Sequence, residues 1–411
     1  MLATFRHRNF TLLWAGGLIS QIGNWMLFVA LPFYIYELTD SALATGAWIM
    51  ASVAPGVLLG SVAGVFADRW DRRRTMVIIN VLQAVVMLPL LLVQSPELVW
   101  IIYLVTFVSS SLAQFFGPSE NALLPTLVPE EQLVAANSLN ATNDNLARIV
   151  GPAIGGILLG ISGLGAVILA DMVTFLGAAA LIFAVRVPPK ATLPVAEDGV
   201  EAVSLWRQVY REWLAGLQLI KSRVLLRNSF IIIGLALFGD AIISALLVVF
   251  VQDIMALDAQ GFGYIMTARG VGGIIGGIAV AQVGNRYSPA QLITFGLTMS
   301  GLVYFIVFNF PFLWLVLTLM VVAGPVYMAW IASMFTMLQR ETEDEYRGRV
   351  FGAFNMVNGL LIFVGSGIAG GAADIVGAPI LLNIAAAVTI LAGLLAFPLL
   401  IGAVRQPVEA G

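Results

Sequence analysis

The sequence predicts an all-α membrane protein of twelve transmembrane helices in two six-helix, pseudo-symmetric halves. Three observations predict it. Hydrophobic residues make up 60% of the 411 and charged residues only 10%, at a mean hydropathy of +0.96, whereas a soluble domain carries about 25% charged residues. Apolar runs of about 20 residues, the length that crosses a hydrocarbon core, recur twelve times. Lys and Arg fall on alternate connections between those runs, as the positive-inside rule requires of loops facing the cytoplasm.

The first six spans run roughly from Phe10 to Tyr36, Leu43 to Ala67, Thr75 to Val93, Leu98 to Pro118, Ser138 to Ile161 and Gly165 to Val185. The second six run roughly from Asn228 to Gln252, Phe262 to Val283, Ala290 to Phe308, Phe312 to Leu338, Val350 to Ala373 and Pro379 to Ala403. The first span is too long for the apolar region of a signal peptide and is read as retained. With both termini in the cytoplasm, all of the 20 Lys and Arg except Arg148 and Arg269 lie on the inner side, while outer connections carry acids such as Glu37, Asp40, Glu97, Asp253, Asp258 and Asp374. A wrong helix count would scramble that alternation. The chain is therefore expected to span a bacterial-type inner membrane as residues 1–186, a cytoplasmic linker 187–227 and residues 228–411. Within the linker, Pro188 to Gly199 is polar and proline-rich, and Leu205, Val209, Trp213, Leu217 and Ile220 recur at helical spacing opposite Arg207, Arg211 and Lys221, as in a helix lying along the interface.

Composition removes whole classes of chemistry. There is no Cys and a single His, His7, between Arg6 and Arg8, so thiolate nucleophiles, Cys-ligated metals, histidine metal sites and Ser-His pairs lack material. The net charge of −3 offers no basic face for nucleic acid. No G-x-x-x-x-G-K-[ST] loop is present to bind ATP, and no cofactor is expected. An embedded enzyme or receptor would need a reactive cluster at one depth, and none stands out beyond two acid–arginine pairs; a passive scaffold would leave those buried charges unexplained.

The halves repeat. Residues 128–156 and 341–371 align at an offset of 214, which sets Glu131 on Glu345, Asp144 on Asn358, Gly151 on Gly365 and Ile154 on Ile368. A similar offset lays the second span over the eighth, with Gly56, Gly60 and Asp68-Arg69 near Gly272, Gly276 and Asn285-Arg286. Such repeats are the signature of secondary transporters.

Three motifs stand on this frame. Gly64 to Arg74 reads G-V-F-A-D-R-W-D-R-R-R, Arg148 to Gly156 reads R-I-V-G-P-A-I-G-G, and 346–352 reads Y-R-G-R-V-F-G. Over its whole length the chain resembles the major facilitator superfamily: the first motif is similar to the family's loop between helices two and three, the second to its antiporter motif, and the third to its multidrug and macrolide-efflux branch. The family's drug antiporters often place a basic residue in the fourth span; none stands in Leu98–Pro118. The resemblance implies a monomeric exporter that exchanges protons for amphipathic small molecules, with a lysophospholipid or siderophore exporter of the same fold as the alternative.

The residues give each motif a physical reading. Gly56, Gly60 and Gly64 share a face that lets a neighbouring backbone approach. Asp68 could cap the N-terminus of the eleventh span near Arg349, where free amides and the helix dipole favour an anion, and Arg69, Arg72 and Arg73 could pair with Glu120 at the inner end of the fourth span. Together these would gate the cytoplasmic side; for Arg72 to Arg74, topology alone is an equal explanation. Gly151, Pro152, Gly155 and Gly156 thin and soften the fifth span, either for tight packing or for rocking.

Ionisable groups inside spans are costly and mark functional candidates. Asp144 and Arg148 are i,i+4 on the fifth span and continue a polar stripe with Asn137, Asn140 and Gly151. Asp240 and Arg269 enter the membrane from opposite sides to similar depth and could pair. A carboxylate that moves between water and a drier cavity changes its proton affinity, so Asp240, and after it Asp144, are the candidate proton carriers; a structural salt bridge is the competing reading of each pair. Asp171 reads as a packed structural acid. Gln21, Asn24, Trp25, Gln114, Phe115, Asn140, Tyr327 and Trp330 could supply polar and aromatic lining for an amphipathic ligand.

Overall fold

The computed structural model describes the backbone of residues 2–186, 218–284 and 286–404, and their side chains apart from those of 2–3, 61–69, 344–345 and 401–404. Residues 187–217, which hold most of the expected interfacial helix, lie outside the described residues. Of that helix, Ile220 is buried on a helical turn at 218–222.

The spans form helices α1 (Arg8–Thr39), α2 (Ala42–Arg69), α3 (Arg72–Val86, prolonged by a 3-10 turn at Leu88–Leu92) and α4 (Val99–Leu123). A continuous helical stretch, Leu133–Phe183, follows. At about 1.5 Å per residue it would reach over twice the ~30 Å hydrocarbon core. It is broken at Gly163, whose φ of 73° and ψ of 178° leave the helical region, a conformation open to a residue without Cβ. The two limbs are α5 (133–162) and α6 (164–183). The remaining helices are α7 (Val224–Val249, closed by a π turn at Phe250–Ile254), α8 (Ala259–Val283), α9 (Pro289–Asn309), α10 (Leu313–Glu341), α11 (Asp344–Val376) and α12 (Ala378–Val404). The twelve expected spans are thus all helical, in the expected order.

The chain divides into two compact units, residues 1–197 with 256–267, and residues 198–255 with 268–411. The turn before α8 and its first turns therefore belong with the first unit.

In the first unit α1 is the central helix, held on one side by α5 and on the other by α6. Trp14 donates its indole N–H to the Leu139 carbonyl at 2.9 Å, and Asn143 returns a bond from Nδ2 to the Trp14 carbonyl at 3.1 Å. Further along, a Cβ on Gly155 would lie 2.6 Å from the Met26 carbonyl oxygen, and one on Gly151 would collide with Trp25. Only glycine permits helices this close, and without a hydrophobic drive between helices in lipid, such contact is a main source of association. On the α6 side, Gly23 makes room for Asp171 and Thr174. Asp171 is fully buried and accepts from the Thr174 hydroxyl at 3.0 Å, consistent with a packed structural acid. One apolar core of this unit gathers Phe10, Leu13, Met76, Leu123, Leu124 and Ile182.

The second unit repeats this economy. A Cβ on Gly365 of α11 would lie 2.7 Å from that of Ala241 on α7. Gly365 is the residue that the repeat sets against Gly151, so both halves place a glycine where the fifth helix meets the first. Gly276 of α8 packs on Gly324 of α10, 2.6 Å from its carbonyl oxygen by the same measure, and Gly239 of α7 on Ala385 and Thr389 of α12. The core is built from residues such as Ile232, Ile233, Leu297, Trp330, Met334 and Leu400.

Helix ends show what the basic cluster does. Asp71 caps α3, accepting from the Arg74 amide at 2.8 Å. Its replacement by Ala is expected to cost about 1 kcal/mol, the usual value of such a cap, read as a lowered thermal midpoint of the purified protein.

Candidate functional site

Two acid–arginine pairs stand near the middle of their helices. On α5, Asp144 lies 11 residues beyond Leu133, about 16 Å along the axis. Its Oδ2 accepts from Arg148 Nε at 2.8 Å, and the two side chains are 44% and 51% exposed. The i,i+4 spacing anticipates that contact. It does not anticipate the third member: Trp25 of α1 donates its indole N–H to Asp144 Oδ1 at 3.2 Å, while the Arg148 guanidinium lies over the Trp25 ring, 4.8 Å from its centroid. Trp25 continues into an aromatic run, edge-on to Phe28 at 4.8 Å, with Phe28 5.5 Å from Trp48. Trp48 is fixed by a 3.1 Å bond from its indole N–H to Thr106. Isolated in hydrocarbon, a half-exposed ion pair at this depth would be very costly; water or a polar ligand on that face removes the penalty.

In the second unit Asp240 of α7 meets Arg269 of α8, Oδ1 to Nη2, at 3.3 Å, each side chain 27% exposed. Their expected pairing is therefore present. Tyr304 of α9 and Tyr327 of α10 are the further electrostatic neighbours of Arg269, and Tyr327 sits edge-on to Trp330 at 5.6 Å. The pair thus draws on four helices.

The glycines and proline of the 148–156 run, expected to be an antiporter motif, lie at helix contacts. Gly151 and Gly155 face α1, as described above. Gly156 faces residues 259–263, where a Cβ would lie 2.6 Å from the Ala259 carbonyl oxygen, and Gly263 in turn abuts the Pro152 carbonyl. Thr267 donates to the Ile149 carbonyl at 3.2 Å. Pro152 itself is buried within the helix.

The residues expected to gate one side are placed as follows in the fold. Gly64, Asp68 and Arg69 belong to α2, and their side chains lie outside the described residues, as does Asn285. The expected pairing of Arg72 and Arg73 with Glu120 requires correction: no ion pair among the described residues involves Glu120. Arg72 donates to the Ala122 carbonyl at 2.7 Å and Arg73 to the Val185 carbonyl at 2.8 Å. These are the free carbonyls at the ends of α4 and α6, which cations stabilise. Arg73 also lies over the Phe183 ring at 5.5 Å. Glu120 instead lies beside Gly17 of α1 and Asn140 of α5. Arg349 stacks over Tyr346 of its own helix at 5.0 Å. An ion pair that the sequence reading misses, Arg223 with Glu343 at 2.6 Å, joins the start of α7 to the α10–α11 turn, and Arg223 also donates to the Glu341 carbonyl at 3.1 Å.

Of the expected lining residues, Asn24 donates to Gln21 at 3.2 Å on α1, and Gln114 bonds its own helix at the Ser110 carbonyl. Phe115 stacks on Trp70 at 6.0 Å. Trp330 is corrected to a core residue: it is 2% exposed and packed with Met334 and Leu297, which leaves it no face for a ligand in this conformation. Tyr327 is partly buried against the same core.

These features define a polytopic membrane transporter class, and comparison with known proteins agrees. The Major Facilitator Superfamily model matches residues 13–366 and 229–410. Among solved structures, the nucleoside transporter NupG superposes with a TM-score of 0.71 at 17% identity, covering 97% of this chain and 100% of that one. A bacterial homologue of the iron transporter ferroportin gives 0.71 at 18% identity, covering 97% and 99%. Macrolide efflux protein A of Streptococcus pyogenes is 27% identical over 366 residues, 87% of each chain. The putative bacilysin exporter BacE of Bacillus subtilis is 25% identical over 362 residues, 85% of each. The chain belongs to the major facilitator superfamily.

Proposed function

We propose that this transporter exports amphipathic small molecules across the cytoplasmic membrane in exchange for protons, its two halves rocking to expose a central site to each side in turn. The observation that carries the reading is the Asp240–Arg269 pair at mid-span, a carboxylate held by a permanent cation at a depth where an acid has no structural need to be charged. In the exchange, Asp240 would trade its Arg269 partner for a proton when rocking separates the two. Asp144 with Arg148 is the second such pair. The efflux relatives support the outward direction, and the basic inner loops support cytoplasmic termini. The working division is residues 1–186 and 228–411 about a cytoplasmic linker at 187–227, in a monomer that needs no cofactor. Gly64, Asp68, Arg69 and Arg349 remain the proposed inner gate, with Arg72 and Arg73 acting on helix ends. Gln21, Asn24, Trp25, Gln114, Phe115, Asn140 and Tyr327 are the proposed lining.

Everted membrane vesicles energised to an acidic interior test this directly. Added substrate should be taken up and should partly dissipate the pH gradient, in proportion to the amount of transporter. A panel of a macrolide, a lysophospholipid and a ferric siderophore assigns the substrate class. Uptake that persists unchanged when an ionophore abolishes the gradient would refute proton exchange.

A further inference from the structure

We propose that the Trp25 ring face and the Asp144 carboxylate form a receptor for the cationic head of an amphipathic amine, and that Arg148 is its resident competitor, seated there until a substrate cation displaces it. The inference rests on the export reading and names the substrate's chemistry at one site.

The geometry is that of a cation receptor already filled. Recognition of an alkylammonium needs an aromatic face and a nearby anion; here the occupant lies 4.8 Å from the Trp25 centroid with its Nε 2.8 Å from Asp144. The receptor is rigid and the occupant is not. Trp25 is pinned by its backbone against Gly151 and by its indole bond to Asp144. Arg148, by contrast, is held to Asp144 through Nε alone, with no hydrogen-bond partner for either Nη among the described residues, and its side chain is 51% exposed. A guanidinium built to lock a carboxylate would use its two-pronged edge; one bond from Nε is easily exchanged. Phe28, 41% exposed and edge-on to Trp25, extends the receptor into an apolar surface for the hydrophobic part of the same ligand. Swapping one cation for another keeps Asp144 paired during that exchange, which avoids the cost of a stranded carboxylate.

The test uses the full-length protein in lipid nanodiscs and two probes of the same ring skeleton, ethidium, a permanent cation, and dihydroethidium, its uncharged reduced form. Arg148→Gln should tighten ethidium binding about tenfold, since it removes the competitor and frees Asp144. Asp144→Asn and Trp25→Leu should each weaken it about tenfold, with Trp25→Phe recovering part of the loss because a ring face is restored. Dihydroethidium should bind the wild type, Arg148→Gln and Asp144→Asn alike. If Arg148→Gln does not fold, Arg148→Lys serves, its compact ammonium stacking less well on the ring, with a smaller gain expected. Ethidium affinity that is unchanged or lowered on losing Arg148, or dihydroethidium shifting in parallel, would overturn the proposal. Export of an uncharged amphipathic compound in everted vesicles would survive that failure, whereas absence of export for every compound would remove the export reading itself.

Discussion

Asp240→Asn is expected to abolish proton-driven export while leaving a folded protein that still exchanges substrate down its own gradient. Asparagine keeps an oxygen acceptor for Arg269 at the 3.3 Å contact but can neither ionise nor carry a proton. The gradient-driven rate should fall on the order of 100-fold, the scale on which positioned proton-transfer groups act. Counterflow of labelled against unlabelled substrate, which needs no net proton movement, should stay within about twofold of wild type. The uncompensated Arg269 should lower stability by about 2 kcal/mol, a penalty set by the cost of an unpaired charge within the membrane. Asp240→Asn with Arg269→Gln should recover that stability without recovering coupling. If the single variant retains full gradient-driven export, Asp240 is a structural ion and the coupling role passes to Asp144.

Gly155→Leu is expected to be strongly destabilising. Even a methyl there would meet the Met26 carbonyl at 2.6 Å and its Cα at 2.7 Å, and the rest of a leucine has nowhere to go because α1 is backed by α6. Overpacking a close helix crossing should cost at least about 3 kcal/mol, seen as loss of monodisperse protein or a steep fall in thermal midpoint. Gly177→Ala on α6 and Gly234→Ala on α7 are the internal controls. Nothing lies within 4 Å of a Cβ at either position, so each should be neutral or stabilise by a few tenths of a kcal/mol through the helical preference of alanine over glycine. Equal damage from Gly177→Ala and Gly155→Leu would mean that the glycines of these helices serve flexibility rather than close packing.

The helices were legible because each span states its own length and charge flanks. The break at Gly163 was legible for the same reason, since no single helix of that length fits a bilayer. The Asp144–Arg148 contact followed from i,i+4 spacing alone. What periodicity cannot supply is the identity of a neighbour. Trp25 and Asp144 are 119 residues apart, and a tryptophan in an apolar helix reads equally as lining, lipid anchor or core; at Trp330 the core reading prevails. Arginines near a helix end carry the same ambiguity. Arg72 and Arg73 were expected on a carboxylate because opposite charges attract, yet they bond backbone carbonyls at the ends of α4 and α6, and Glu120 lies beside Gly17 and Asn140. The repeat was more informative than any motif: by setting Gly151 on Gly365, it picked out two tight crossings.

Substrate-induced proton release tests the claim of exchange most directly. Purified transporter in weakly buffered detergent, titrated with a compound that it exports, should acidify the medium, saturably, and should stop doing so in Asp240→Asn. A saturable binding signal with no proton released at any pH, from a protein that still exports the same compound, would contradict the account.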